Sequence, residues 1–333
     1  MKTELRADKS YKITVTLLFL LSMLSIAASL LIGEMFLSVA AAFYAALLLF
    51  ERGKRPLSVI LGIFGAILTF IPLGVPSVWG IAPVMAGIII FLFYKSGSTK
   101  CDIAIILTLF ISAVIIISFL FFAFAATGKY DFNNAISYYT ELYETIKADF
   151  INRLSDISLT VPEEVGEIKV SADNLSMILD AVVNMAVSFI FIAAFFLSGI
   201  ALKIFTALVR RYSEDKTHIS AFRFSVPNIY AYFYLVLFFA ASFVGSSNVY
   251  EIALHNMYNI FLVIFVYLGV CAAYKMLTKN GRKIGAAILI VFAFIFLGSL
   301  AMDLISVFGA FATIRANKNE KNGSGGSFDN TRI

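Results

Sequence analysis

IAIILTLFISAVIIISFLFFAFAA, residues 103–126, carries no charged side chain from end to end. A helix crosses the roughly 30 Å hydrocarbon core of a bilayer with about 20 apolar residues, and this run exceeds that length. Because the run is continuous and does not alternate with polar residues, it reads as a helix and not as a barrel strand. A second run of the same kind occupies Ala181–Leu202. The composition agrees, with 60% hydrophobic and 14% charged residues, where soluble domains carry about 25% charged residues. The expected fold class is all-α, a polytopic transmembrane helical bundle of about 8–9 membrane segments.

Outward from that run, the basic residues act as a ruler. The formal charge is +5, but Lys and Arg fall in short clusters between apolar segments, which marks membrane orientation and not a nucleic-acid surface. If Lys2, Arg6, Lys9 and Lys12 share the cytoplasmic side with Arg52, Lys54 and Arg55, residues 13–50 cross twice and turn near Gly33 and Glu34. Residues 57–94 repeat the pattern, turning at Pro72, Gly74 and Pro76 before Lys95 and Lys100. The first apolar segment is read as an uncleaved span, because a second follows at once. The run at 103–126 then exits, and a sixth segment, N-capped near Ser171, returns to Arg210 and Arg211. A seventh (Ile229–Val244) and an eighth (Ile252–Tyr274) precede Lys275, Lys279, Arg282 and Lys283.

The stretch Ile284–Ile314 is ambiguous: one tilted helix puts the tail outside, whereas Arg315, Lys318 and Lys321 favour the inside and require a broken or re-entrant hairpin. The expected organisation is a six-segment unit over residues 1–211, further membrane segments over 212–315 and a disordered tail over 316–333. The amino terminus is expected in the cytoplasm of a multi-pass cell-membrane protein.

Residues 128–176 form the one long loop, with nine acidic residues against Lys129, Lys147, Arg153 and Lys169. Sparse basic residues place it outside. Within it Ile136, Tyr139, Leu142, Tyr143, Ile146, Phe150 and Leu154 recur at helical spacing and predict an amphipathic helix capping the bundle.

No catalytic motif appears. Nothing matches a zinc-binding HExxH, a phosphate loop or a nucleophile elbow, and the two cysteines, Cys101 and Cys271, predict neither a disulfide nor a metal site. No cofactor is expected and the chain reads as a non-enzyme. Its candidate polar residues are few. Asp180 and Asn184 lie one helical turn apart near the outer end of segment six, where they either line a solute site or tie neighbouring helices. Glu34, at the first outer turn, is the further ligand-binding candidate. Asp303, inside an apolar run, and Arg315 are read as structural polar residues, and about 18 Å of straight helix separates them. Ser22, Ser25 and Ser29, with the pairs Ala41–Ala45 and Ala42–Ala46, are small-residue stripes for close helix approach or for docking of another membrane subunit. Trp79 fits an interfacial anchor.

Three pieces, FLFYKSGSTK at 91–100, FRFSVP at 222–227 and the closing stretch 298–315 with Asp303, give the chain an order of features that resembles the YybS-like family of predicted bacterial integral membrane proteins. That family is distantly similar to the substrate-capturing membrane subunits of energy-coupling-factor transporters, which have six helices with both ends inside. The resemblance implies small-solute binding or a transport-related role, and partner subunits met through small residues of the first helix, a place taken here by Ser25 and Ser29. The alternative is a non-enzymatic cell-envelope scaffold or assembly protein. The expected partners are the lipid bilayer, a small-molecule solute and other membrane subunits, and not nucleic acid.

Overall fold

The computed structural model describes residues 2–32, 34–51, 56–70, 78–158, 172–212, 226–245, 248–278 and 283–322. Among these residues every regular element is helical: α1 (Lys2–Ile32), α2 (Glu34–Phe50), α3 (Pro56–Thr69), α4 (Ala82–Lys95), α5 (Lys100–Thr127), α6 (Phe132–Ser158), α7 (Ala172–Asn184), α8 (Ala186–Tyr212), α9 (Asn228–Phe243), α10 (Val249–Leu277), α11 (Lys283–Leu297) and α12 (Ser299–Asn322). Among the described residues five stretches are long and apolar enough to cross a membrane: Tyr11–Ser29, Lys100–Thr127, Ala186–Arg211, Val249–Leu277 and Ser299–Lys318. The apolar helices α2, α3, α4, α9 and α11 have 14 to 17 residues, which reach only about 21–26 Å. Hydropathy counts such runs as segments, whereas helix length alone yields five.

Local chemistry sets the helix ends. α3 opens with Pro56 in its first turn, and the buried Glu51 carboxylate accepts from Leu57 N at 2.8 Å and Ser58 N at 3.1 Å, satisfying donors that the helix start leaves orphaned. α5 opens with a capping box, Thr99 Oγ1 accepting from Asp102 N and the Asp102 carboxylate from Thr99 N, and stops at Gly128 with φ 68°. Asn248 and Glu251 build the same box at the start of α10. The sixth segment, expected as one helix from near Ser171 to Arg210, is two here, with a turn at Met185 between α7 and α8. Its expected N-cap, Ser171, lies outside the described residues. The closing apolar stretch is also divided, at Gly298, whose φ of 53° suits a residue without Cβ.

The chain forms two compact units, Met1–Asn184 with Ala193–Phe222, and Met185–Ile192 with Arg223–Ile333. In the first, α2 packs between α1 and α4. Ala40, Ala41, Ala42, Ala45 and Ala46 are fully buried, and a Cβ on Gly87 would fall 2.9 Å from Ala41 O. This is the close approach that small residues permit. α1 is fastened at two separate points: Tyr11 Oη donates to Phe50 O, and Ser29 Oγ donates to Trp79 O at 2.9 Å. α5 and α8 run antiparallel. Thr108 donates to Ser198 at 3.2 Å, Tyr94 meets Phe205 edge-on at 5.2 Å, and Lys100 lies near enough to Arg210 to feel its charge.

The 28 residues of α5 extend about 42 Å, some 12 Å beyond a hydrocarbon core. The excess is aromatic at its C-terminal end, where α6 folds back on it. Tyr139 Oη donates to Phe119 O at 2.7 Å, and the Phe119–Tyr139, Phe122–Tyr138 and Phe124–Tyr130 ring pairs close the turn. This cluster has the make-up of a headgroup-level aromatic girdle.

In the second unit α12 lies against both α9 and α10. A Cβ on Gly269 would collide with Ile305 O, and one on Gly309 with Phe265 O, so α10 and α12 touch backbone to backbone. At its far end α12 is tied to the start of α9, Asn317 Nδ2 donating to Val226 O at 2.9 Å and to Asn228 Oδ1 at 2.7 Å. That anchorage carries the helix on to Asn322, past residue 316 where the sequence reading starts the tail.

Candidate functional sites

Among the described residues two polar clusters stand out, one in each unit. The first joins α6 to α7. Asp180 Oδ1 accepts from Tyr143 Oη at 2.6 Å and from Lys147 Nζ at 2.7 Å, and the ammonium also lies 5.5 Å from the Tyr143 ring centre. Helical spacing brings Tyr143 and Lys147 onto one face of α6, so both reach the same carboxylate. The Lys147 hydrogen bond, then that of Tyr143, holds the Asp180 carboxyl below its usual range. In return, the bond to Asp180 raises Lys147 above the ordinary lysine value. Partial burial first, and the neighbouring carboxylate second, push Tyr143 upward.

The arrangement is open to solvent, the Asp180 side chain being 48% exposed. Its carboxylate already carries donors from its own chain, Lys147, Tyr143 and Ser176. Asn184 sits one turn further along α7, exposed. Glu34 is the first residue of α2, and its side chain lies outside the described residues. Of the sequence candidates for this site, Asp180 is brought into a polar cluster with Tyr143, legible as part of a helical stripe, and Lys147, legible only as one of the loop's few basic residues.

The second cluster joins α9, α10 and α12. Tyr258 Oη donates to Asp303 Oδ1 at 2.8 Å. Tyr234 Oη donates to Ser306 Oγ, which donates to Asp303 O at 2.7 Å. The two tyrosine rings stack at 6.1 Å and 11°, and Tyr234 stacks again on Phe265 at 4.7 Å. Their hydroxyls also interact with each other, so the four side chains form one connected set. Tyr234 and Ser306 are fully buried. Tyr258 stands about 14 Å into α10 and Asp303 about 6 Å into α12, depths that fall within a spanning helix.

Arg315 is on the same helix as Asp303, exposed and about 18 Å further on, so the two are not brought together. Among the described residues no Lys or Arg pairs with Asp303. An ionised Asp at the centre of a membrane helix costs about 2.5–3.5 kcal/mol on insertion scales. A hydrogen bond to a charged group returns about 1.5–3 kcal/mol. The Tyr258 bond is of the same order as that cost, and the second carboxylate oxygen keeps acceptor capacity for a further partner. The sequence singled out Asp303 by its apolar context; it could not show that Tyr234, Tyr258 and Ser306 converge on it, because they come from three helices.

Among the described residues no three His, Cys, Asp or Glu side chains gather as a metal site. No family model, curated protein or solved structure matches the chain.

Proposed function

We propose that the protein is a multi-pass, non-enzymatic protein of the cell membrane that binds a small solute and serves in its transport. The observation that carries this reading is the polar set around Asp303, built inside apolar helices and placed just after a glycine break. Interrupted membrane helices with polar groups at the break are a recurrent way of building solute and ion sites. The resemblance to the YybS-like family, and through it to solute-capturing membrane subunits, supports the same reading.

In this proposal the amino terminus is cytoplasmic, α1–α5 and α8–α10 make eight crossings, and α11 and α12 form a paired excursion that returns to the cytoplasmic side. Support comes from contacts that join like ends. Tyr11 meets Phe50, Lys100 nears Arg210, and Asn317 reaches Val226, each pair joining ends that the basic residues assign to the same side. The short helices cross with local bilayer thinning or with polar flanks at the interface.

The test is native mass spectrometry of the protein extracted in mild detergent, followed by uptake assays in proteoliposomes with whatever solute is retained. A retained small molecule that is taken up supports the proposal. A protein that emerges without one and moves none of a broad panel of solutes refutes it. The scaffold alternative rests on a different observation, the apolar residues Ile136, Ile146, Phe150, Met177 and Ile178 exposed on α6 and α7. It predicts copurified envelope proteins without a solute.

A further inference from the structure

We propose that Asp303, Tyr258, Tyr234 and Ser306 form a binding site for a single alkali-metal cation. The inference deepens the transport reading and rests on it for its biological setting, but the site stands on its own chemistry. Every polar atom in the set is oxygen: one carboxylate, three hydroxyls and the Asp303 carbonyl. Hard oxygen donors without nitrogen or sulfur suit hard cations.

The charge of the set selects the valence. One carboxylate matches one positive charge, whereas a divalent ion would leave an excess charge in a medium that screens it poorly. Size is limited as well. Tyr234 is fully buried and stacked between Tyr258 and Phe265, so the ligand must be of atomic size and not an organic ammonium ion.

No competing charge faces the carboxylate among the described residues. α9 presents Tyr234 and α10 presents Tyr258. α11 has no ionisable residue beyond Lys283, at its opposite end, and on α12 the nearest cation is Arg315. A bound ion would be met by hydroxyl lone pairs, which a Ser or Tyr oxygen keeps while its own proton is donated.

The experiment is equilibrium binding of radiolabelled sodium to the full-length protein in nanodiscs, in a choline chloride background. Saturable binding near one ion per chain is expected. Asp303→Asn should weaken it tenfold or more, as loss of a charged contact does, and Tyr258→Phe should weaken it several-fold. Asp149→Asn, a change in an exposed surface pair with Arg153, should leave it unaltered.

Absence of saturable binding to the folded wild-type protein overturns the site, and so does unchanged affinity in folded Asp303→Asn. Should that variant fail to fold, Tyr258→Phe decides by the same criterion. The outcome separates from that of the transport reading: sodium binding without any transported solute sustains the site alone, and solute uptake by a protein that binds no sodium sustains transport alone.

Discussion

At the residue scale, Asp180 shows how a candidate ligand acquires a structural partner. Its depressed carboxyl and the raised Lys147 ammonium fix the sign of the pH response. The Asp180 contribution is fully present above the ordinary carboxylate value and is lost as pH falls through the lower folded value. The Lys147 contribution is fully present below the ordinary lysine value and is lost as pH rises through the higher folded one. Spin labels on α6 and α7 are therefore expected to report a constant separation across neutral pH and a widening at either extreme. Asp180→Asn should widen it already at neutral pH; an unchanged distance in that variant would show that the contact does not hold the helices. Glu51 is a second case, unflagged by the sequence because it abuts Arg52. Glu51→Ala removes the acceptor of two amides at the start of α3 and is expected to cost about 1–2 kcal/mol, read as a lowered melting temperature in detergent.

At the scale of elements, the contact of α10 with α12 depends on two glycines. Gly269→Ala or Gly309→Ala places a methyl against backbone, which cannot rotate aside, so the helices must separate. The expected loss is about 1–3 kcal/mol or more, and Tyr258 should part from Asp303 at the same time. Gly199→Ala on α8 is the comparison, since a Cβ there meets nothing within 4 Å. It should be neutral or should stabilise the helix by up to about 1 kcal/mol. Equal melting temperatures for all three variants would contradict the close crossing. The break at Gly298 belongs to this scale too: hydropathy runs unbroken from 284 to 297 and on past it, and the single glycine is weak punctuation until a positive φ is seen.

At the scale of the whole molecule, orientation is the property to measure. In a protein freed of Cys101 and Cys271, an impermeant thiol reagent is expected to modify Val165→Cys in intact cells and Glu214→Cys only after the membrane is opened. The opposite pattern would invert the proposed topology. The sequence by itself determined the helical class and the membrane as solvent, because apolar runs and basic clusters are local properties of the chain. It located α5, the amphipathic α6 and Asp303 for the same reason. Tertiary structure decided which polar groups meet. Tyr143 and Lys147 reach Asp180 from 37 and 33 residues away, and Tyr258 reaches Asp303 from 45. It also decided that α7 and α8 part at Met185 and that α12 is held to α9. Those outcomes depend on helix lengths, crossing points and backbone contact between packed helices, none of which has a period or a composition that a single segment can display.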